Sequence, residues 1–146
     1  MTLHLIKLSV GSESVESLGL WQQMRLADKL KKGEEPELFH TTRMTPTRRE
    51  EILHSGGSIY WVIKGLIQAR QRLTDIRPFK DEKGIKRCHL VLDPALIPTV
   101  PRRSRPFQGW RYYQASDAPA DLDARAGIDA GMPPEMRREL ADLGLI

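Results

Sequence analysis

The strongest constraint on the fold is an alternation of apolar and polar residues between Ser58 and Ile76, followed by a turn and a second β-prone run. Period-two alternation is typical of a strand with one buried face. The cluster Asp81–Gly84 has the composition of a turn, and Ile85–Leu92 is a strand that needs an antiparallel partner just upstream. The nearest candidate partner is Arg70–Phe79. The pattern therefore predicts an antiparallel sheet in the middle of the chain.

The same stretch also allows a helix, because apolar residues recur there at spacings of three and four. We favour strands, since the run Ile85–Leu92 would otherwise lack a partner. The strand interpretation predicts one buried face and one polar face. The buried face would carry Ile59, Trp61, Ile63, Ile67, Ala69 and Leu73.

The rest of the chain supplies shorter elements around this sheet. We expect a strand at Thr2–Val10, a helix capped by Ser12 or Ser14 and running to about Lys32, and a short strand at Leu38–Arg43. Thr45 followed by Pro46 predicts a short helix that extends to about Leu53. Three prolines, Pro98, Pro101 and Pro106, predict an irregular loop. An aromatic strand follows within Phe107–Gln114.

The length of 146 residues suits one domain with one hydrophobic core. We expect an α+β fold: a small mixed, mainly antiparallel sheet or a PUA-like β-barrel, with two to three flanking helices. Within it, residues 114–132 are expected to be a loosely ordered connection and 133–143 a C-terminal helix. The single cysteine, Cys88, excludes an intramolecular disulfide. With no signal-peptide pattern and no long apolar run, we expect a cytoplasmic protein. The four histidines fall at no zinc-site spacing and the composition does not require a cofactor, so we expect neither metal nor cofactor.

The net charge of +4 is unevenly distributed along the chain. Residues 41–113 hold 15 basic and 6 acidic residues, a local excess of +9, whereas the segments before and after carry −1 and −4. Arginine accounts for 11 of the 15 central cations. Because the planar guanidinium pairs with phosphate in two-point geometry and stacks on rings, this composition predicts an anion-binding surface.

Two groups of residues carry that prediction. The first is the polar face of the central strand with nearby loop cations, where alternate side chains stand about 7 Å apart, close to the spacing of phosphates along an extended strand. Its members are Lys64, Arg70 and Arg72, with Arg43, Arg48 and Arg49 nearby. The alternative is an ordinary solvated sheet face, partly neutralised by Asp75, Asp81 or Glu82.

The second group mixes cations and rings within twelve residues, as single-stranded nucleic-acid sites do. Its cations are Arg102, Arg103, Arg105 and Arg111, and its rings include Phe107, Trp110, Tyr112 and Tyr113. Trp61, Trp110 and Tyr112 are the candidate stacking residues. The alternative assignment is that Phe107, Trp110 and one tyrosine belong to the core of a closing strand.

No catalytic motif is present in the sequence. Cys88 and His89 are adjacent, so on a strand they face opposite sides and do not form a nucleophile–base pair. His40, Asp75, His89 and Asp93 would have to meet as an unmarked site. We therefore assign no catalytic residue and expect a protein that is not an enzyme.

Four segments resemble an uncharacterised bacterial family, domain of unknown function 1489; they are His40–Arg43, Gly56–Gly65, Ala69–Arg72 and Arg105–Tyr112. The resemblance covers nearly the whole chain and implies no activity. The order of elements is also similar to that of PUA-like domains, the β-barrel class that includes ASCH and EVE modules.

These observations predict a non-catalytic module that binds nucleic acid, with RNA favoured, through its basic and aromatic central region. The alternative is an enzyme or sensor that binds a small phosphorylated or nucleotide ligand at a barrel mouth. A pocket containing both Trp61 and Arg70 would favour the small ligand, and an open basic face would favour the polymer.

Overall fold

The computed structural model describes residues 2–122 and shows a six-stranded mixed sheet with helices packed on one face. In chain order the elements are β1 (Leu3–Leu8), α1 (Val15–Lys31), β2 (Leu38–Thr42), α2 (Arg49–His54), β3 (Ser58–Ile63), β4 (Leu66–Lys80), β5 (Lys86–Arg103) and β6 (Trp110–Gln114). The strand order is β2-β5-β4-β3-β1-β6. Strands β1 and β3 are parallel, and the other neighbouring pairs are antiparallel. The expected α+β class with a mainly antiparallel sheet is confirmed.

The strand interpretation of the central stretch is confirmed. Strands β3 and β4 form a hairpin whose two turn residues, Lys64 and Gly65, have φ values of 52° and 78°. Positive φ at both positions matches the twist of the flanking strands. The next turn is held by the Asp81 carboxylate, which accepts hydrogen bonds from the N–H groups of Lys83 and Ile85 at 2.9 Å each. Strand β4 then pairs with β5 along most of its length, as predicted.

One part of the predicted buried face is wrong. Trp61 lies opposite Ala69 while Val62 lies opposite Ile67, so Gln68 is an extra residue in β4. Such a bulge reverses the alternation beyond it. Ile67 therefore packs with Val62 on the opposite face rather than with Trp61 and Ala69. Alternation alone does not reveal where a bulge falls.

The predicted irregular loop around the prolines is also corrected, because β5 continues to Arg103. Its first part, Cys88–Leu92, pairs with β2, and among the described residues no strand pairs with that edge of β5 beyond Leu92. The Pro98 carbonyl accepts a hydrogen bond from Leu122 N–H at 2.9 Å, on the side away from β4. Since the N and O atoms of one strand residue point to the same edge, the missing N–H of Pro98 costs no β4 hydrogen bond.

The sheet is buried on both faces. Helices α1 and α2 cover one of them, here called the helix face, with Leu18 and Ile52 among residues such as Leu5, Ile59 and Trp61. The opposite face carries a smaller cluster, in which Phe107, Tyr113 and Ala118 cover four buried side chains. These four are Ile6, Tyr60, Val62 and Ile67.

Helix α1 begins where the sequence predicts, with Ser14 as N-cap in a reciprocal capping box with Ser17. Helix α2 begins later than predicted, at Arg49 rather than at the Thr45-Pro46 pair, and it lacks a side-chain cap. After β6 the chain forms a short 3-10 turn at Ala115–Asp117 and crosses the opposite face, where Asp121 forms a β-bridge with Thr99. The predicted helix at 133–143 and the later part of the 114–132 connection lie outside the described residues.

The PUA-like barrel is not supported, because the sheet is open between β2 and β6. Within residues 2–122, no helix is both long enough and apolar enough to cross a membrane.

Candidate functional site

The two edge strands, β2 and β6, approach each other across the helix face and leave a gap, here called the seam. Two side chains of β6 bridge it by hydrogen bonds. Trp110 Nε1–H donates to the Met44 carbonyl at 2.9 Å, and the Tyr112 hydroxyl accepts from the Arg48 backbone N–H at 3.1 Å. The seam is therefore closed by side chains at one end rather than by strand pairing, which leaves room for openings along it.

The larger opening is an open groove of about 820 Å³, here called the seam groove. Three of its lining residues are cations, Lys7, Arg43 and Lys86, and none is acidic. Trp110 contributes an aromatic ring. The remaining lining residues are Thr41, Thr42, Met44, Ile85, Gln108 and Gly109. A groove with cations, a ring and no carboxylate attracts anionic ligands.

Lys86 and Lys7 are the groove cations that the sequence analysis does not identify, and Lys7 is the more buried of the two. It follows Leu3 and Leu5 at alternate positions of β1, so its side chain leaves the strand on the helix face beside Trp61 and Trp110. Burial lowers the pKa of its ammonium below the usual value. Within residues 2–122, no carboxylate pairs with it. Binding of an anionic ligand would stabilise a partly desolvated cation of this kind. The sequence signal for it is that Lys7 alternates with the core residues Leu3 and Leu5.

Arg48, Trp110 and Tyr112 lie together at the edge of the seam groove. The rings of Trp110 and Tyr112 meet edge to face at a centroid distance of 5.0 Å. The Arg48 guanidinium lies 5.5 Å from the Tyr112 ring centroid and forms a 2.6 Å ion pair with Glu51. Arg48 is thus partly neutralised, whereas Arg43 is exposed and has no ion-pair partner among the described residues.

A second opening of about 370 Å³, here called the seam cavity, lies further along the seam beneath α1. Most of its lining is apolar or aromatic, with polar groups from His40, Gln22 and three serines. The lining residues are Ser9, Val10, Gly11, Ser12, Ser17, Leu18, Trp21, Gln22, Leu38, Phe39, His40, Trp61 and Leu92. None of them is formally charged at neutral pH, so this cavity differs in chemistry from the groove.

Trp61 is only 2% exposed. Its Nε1–H donates to Gln71 Oε1 at 3.2 Å, and the same oxygen accepts from Gln22 Nε2 at 2.9 Å. The burial that the strand interpretation implies for Trp61 is confirmed. The indole belongs to the core beside the cavity, so Trp61 is not placed on the surface as a stacking platform.

His40 lies where the cavity meets the groove. Its ring meets the Trp61 ring edge to face at a centroid distance of 5.4 Å. The pKa of His40 is lowered to about 4, mainly by burial, with smaller contributions from the nearby Lys7 ammonium and Arg25 guanidinium. The imidazole is therefore neutral near pH 7, with one hydrogen-bond donor and one acceptor.

Four predicted arginines share the opposite face, because each lies opposite a residue whose side chain points there. They are Arg70, Arg72, Arg102 and Arg111, opposite Tyr60, Ser58, Ile67 and Ile6. Three of these four arginines already contact other groups of the same chain. Arg70 holds both Asp121 carboxylate oxygens at 2.6 and 2.7 Å, Arg102 donates to the Asp117 carbonyl, and the Arg111 guanidinium lies 5.0 Å from the Phe107 ring centroid.

The other predicted cations lie apart from both groups. Lys64 occupies the β3–β4 turn and pairs with Glu13 at 3.3 Å, so it does not continue the face of Arg70 and Arg72. Arg103 lies opposite Leu66 and faces away from Arg102, and Arg105 is exposed in the loop before β6. The predicted cations therefore do not form one continuous surface.

The structure separates Cys88 from His89, as expected for adjacent residues of one strand. Cys88 is buried in the helix-face core, whereas His89 stacks on Phe39 at 4.0 Å on the other side of the strand. No group of three or more metal-ligating side chains occurs within residues 2–122.

Comparison with known proteins gives a family but no characterised relative. No curated protein and no solved structure shows a significant match to the chain. A family model with the description "protein of unknown function (DUF1489)" matches residues 5–146, which include all four segments that carry the resemblance. The chain therefore belongs to the DUF1489 family.

Proposed function

We propose that this protein is a non-catalytic cytoplasmic module that binds single-stranded nucleic acid, with RNA favoured, in the seam groove. The observation that carries the proposal is the acid-free lining, in which Lys7, Arg43 and Lys86 share the groove with the ring of Trp110. Phosphates would contact the cations, and a base would stack on the indole. Such pairing of cations with aromatic rings supports binding to single strands, whose unstacked bases are accessible.

The shape of the seam groove also supports a polymer. It is open and larger than the seam cavity, at about 820 Å³ against 370 Å³. The small-ligand alternative requires Trp61 and Arg70 at one pocket, but these two residues point to opposite faces of the sheet. Moreover, none of the residues that line the cavity beside Trp61 is a cation. We therefore favour the polymer.

The test is binding of a fluorescently labelled 12-nucleotide single-stranded RNA, measured by fluorescence anisotropy at low salt. The double variant Arg43→Ala/Lys86→Ala removes two exposed groove cations, and we expect affinity to fall roughly tenfold or more. The matched control is Arg72→Ala/Lys31→Ala, which removes one arginine and one lysine that are exposed elsewhere. We expect the control to change affinity less than about threefold.

Two results would count against this assignment. Equal losses of affinity in the two variants would mean that RNA binding depends on the net charge of the protein rather than on the seam groove. A loss confined to the control would move the interface to the opposite face, where Arg72 is exposed.

A further inference from the structure

The seam groove and the seam cavity are adjoining compartments of the same gap. On the β1 side, the lining passes from Lys7 in the groove to Ser9 in the cavity. On the β2 side, it passes in the same direction from Thr41 to His40. Lys7 and His40 therefore stand at the junction, one cationic and one neutral.

We propose that the seam cavity receives an unpaired nucleobase of the strand whose phosphates lie in the seam groove. This inference rests on the proposed function and adds to it the place where one base is held. A flipped base needs a pocket that is largely apolar, carries a few hydrogen-bonding groups and opens next to the backbone site.

The size and lining of the cavity meet the first requirement. Its volume of about 370 Å³ lies within the range of small-molecule sites, roughly 300–1,000 Å³. Trp21 lines it and is 50% exposed, with the Arg25 guanidinium 4.8 Å from the centroid of its ring. The Arg25 guanidinium lies over one face of the indole, and the exposed part of the Trp21 side chain offers a surface for a planar ring.

Two lining side chains retain hydrogen-bonding capacity. Gln22 Nε2 donates one N–H to Gln71 Oε1 at 2.9 Å, and Gln22 Oε1 accepts from Gln71 Nε2 at 2.9 Å. The second N–H of Gln22 has no acceptor among the described residues. The neutral His40 ring makes no hydrogen bond to residues 2–122. A nucleobase edge carries donors and acceptors that suit this pair.

The charges at the junction favour a base in the seam cavity and its phosphate in the seam groove. The nearby cations, Lys7 and Arg25, disfavour a cationic ring in the cavity, and the uncharged bases meet this condition. The adjoining phosphate would lie toward Lys7, whose ammonium has no carboxylate partner among the described residues.

The test compares a 12-residue uridine RNA with an abasic ribose-phosphate oligomer of the same length. The variant His40→Phe keeps a ring but removes both hydrogen-bonding nitrogens, and His89→Phe is the matched control, since His89 does not line the cavity. We expect His40→Phe to weaken binding of the uridine RNA about five- to tenfold and to leave abasic binding unchanged. His89→Phe should leave both unchanged.

A second measurement needs no variant. A 12-residue 5-iodouridine RNA is photocrosslinked to the wild-type protein, and the attachment sites are mapped by mass spectrometry. Crosslinks at Trp21 or His40 support the inference. Crosslinks confined to Trp110 and other groove residues, together with an unchanged His40→Phe, overturn it while leaving the proposed function intact. Failure of both oligomers to bind the wild type overturns the two together.

Discussion

Gly57 occupies a position where any side chain would collide with the neighbouring backbone. A Cβ atom there would lie 2.1 Å from the Leu3 carbonyl oxygen and 2.8 Å from Ile52 Cγ2. We expect Gly57→Ala to lower the free energy of unfolding by about 2–3 kcal/mol, because β1 and α2 would have to move apart. Urea unfolding followed by circular dichroism measures this change.

Gly19 provides the matched control for this prediction. It lies within α1, and an added Cβ would make an ordinary 3.6 Å contact with Leu96. Gly19→Ala is expected to raise the free energy of unfolding by roughly 0.5–1 kcal/mol, because alanine loses less backbone entropy in a helix. Equal effects at the two glycines would contradict the close approach of β1 at Gly57.

His40 makes stability depend on pH. Its pKa falls from 6.5 to about 4 on folding, mainly through burial. Between these pH values the unfolded state binds more protons than the folded state. The stability that the neutral His40 ring contributes is therefore complete above about pH 6.5 and is lost as the pH falls toward 4. The free energy of unfolding falls by about 3 kcal/mol over this pH range.

The pH prediction is tested by urea unfolding of wild type and His40→Phe at pH 7.0 and pH 4.5. The variant should lose markedly less stability than the wild type over this interval. His4 and His89, whose pKa values are also lowered by burial, stay in both proteins and so cancel in the comparison. Parallel pH profiles would show that folding does not lower the pKa of His40.

At the level of elements, the segment after β6 fastens the opposite face of the sheet. The Arg70–Asp121 pair is about three-quarters buried, with side chains 24% and 29% exposed, and Arg70 also donates to the Ser58 hydroxyl at 2.9 Å. We expect Asp121→Asn to cost about 1–3 kcal/mol, since a partly buried guanidinium loses its charged partner. Thermal and urea unfolding measure the loss.

The comparison for this pair is Arg77–Glu37, whose side chains are 50% and 35% exposed. Glu37→Gln should cost less than about 1 kcal/mol, because solvent screens the interaction. If Asp121→Asn were as mild as Glu37→Gln, the segment 115–122 would contribute little to holding the sheet.

The elements themselves were predicted well from local patterns, and the errors have physical causes. The capping serine and the turn at Asp81–Gly84 act within a few residues, so the sequence near them suffices. The bulge at Gln68 and the continuation of β5 through Pro98 depend on which strand lies alongside. Tertiary packing decides which strands become neighbours, so the alternation of apolar and polar residues in one sequence does not reveal them.

At the scale of the whole molecule, the seam groove collects residues from β1, the end of β2 and the connection after it, the start of β5, and β6 with the loop before it. The sequence predicts that the centre of the chain is basic, and Arg43 and Trp110 were among the candidate residues. It does not predict that Lys7 and Lys86 join them, because that depends on how far the open sheet curls. Nor does it predict that the Asp121 carboxylate pairs with Arg70 and the Asp117 carbonyl accepts from Arg102 on the opposite face.

The number of groove cations predicts how binding responds to salt. For single strands the slope of log affinity against log salt is about −0.7 per phosphate neutralised, so three contacts give roughly −2. Raising salt from about 50 to 200 mM should then weaken RNA binding about 20-fold. In Arg43→Ala/Lys86→Ala the slope should shrink to about −0.7, whereas Arg72→Ala/Lys31→Ala should keep the wild-type slope. A flat wild-type response would mean that binding does not use phosphates, because counterion release accompanies every phosphate contact.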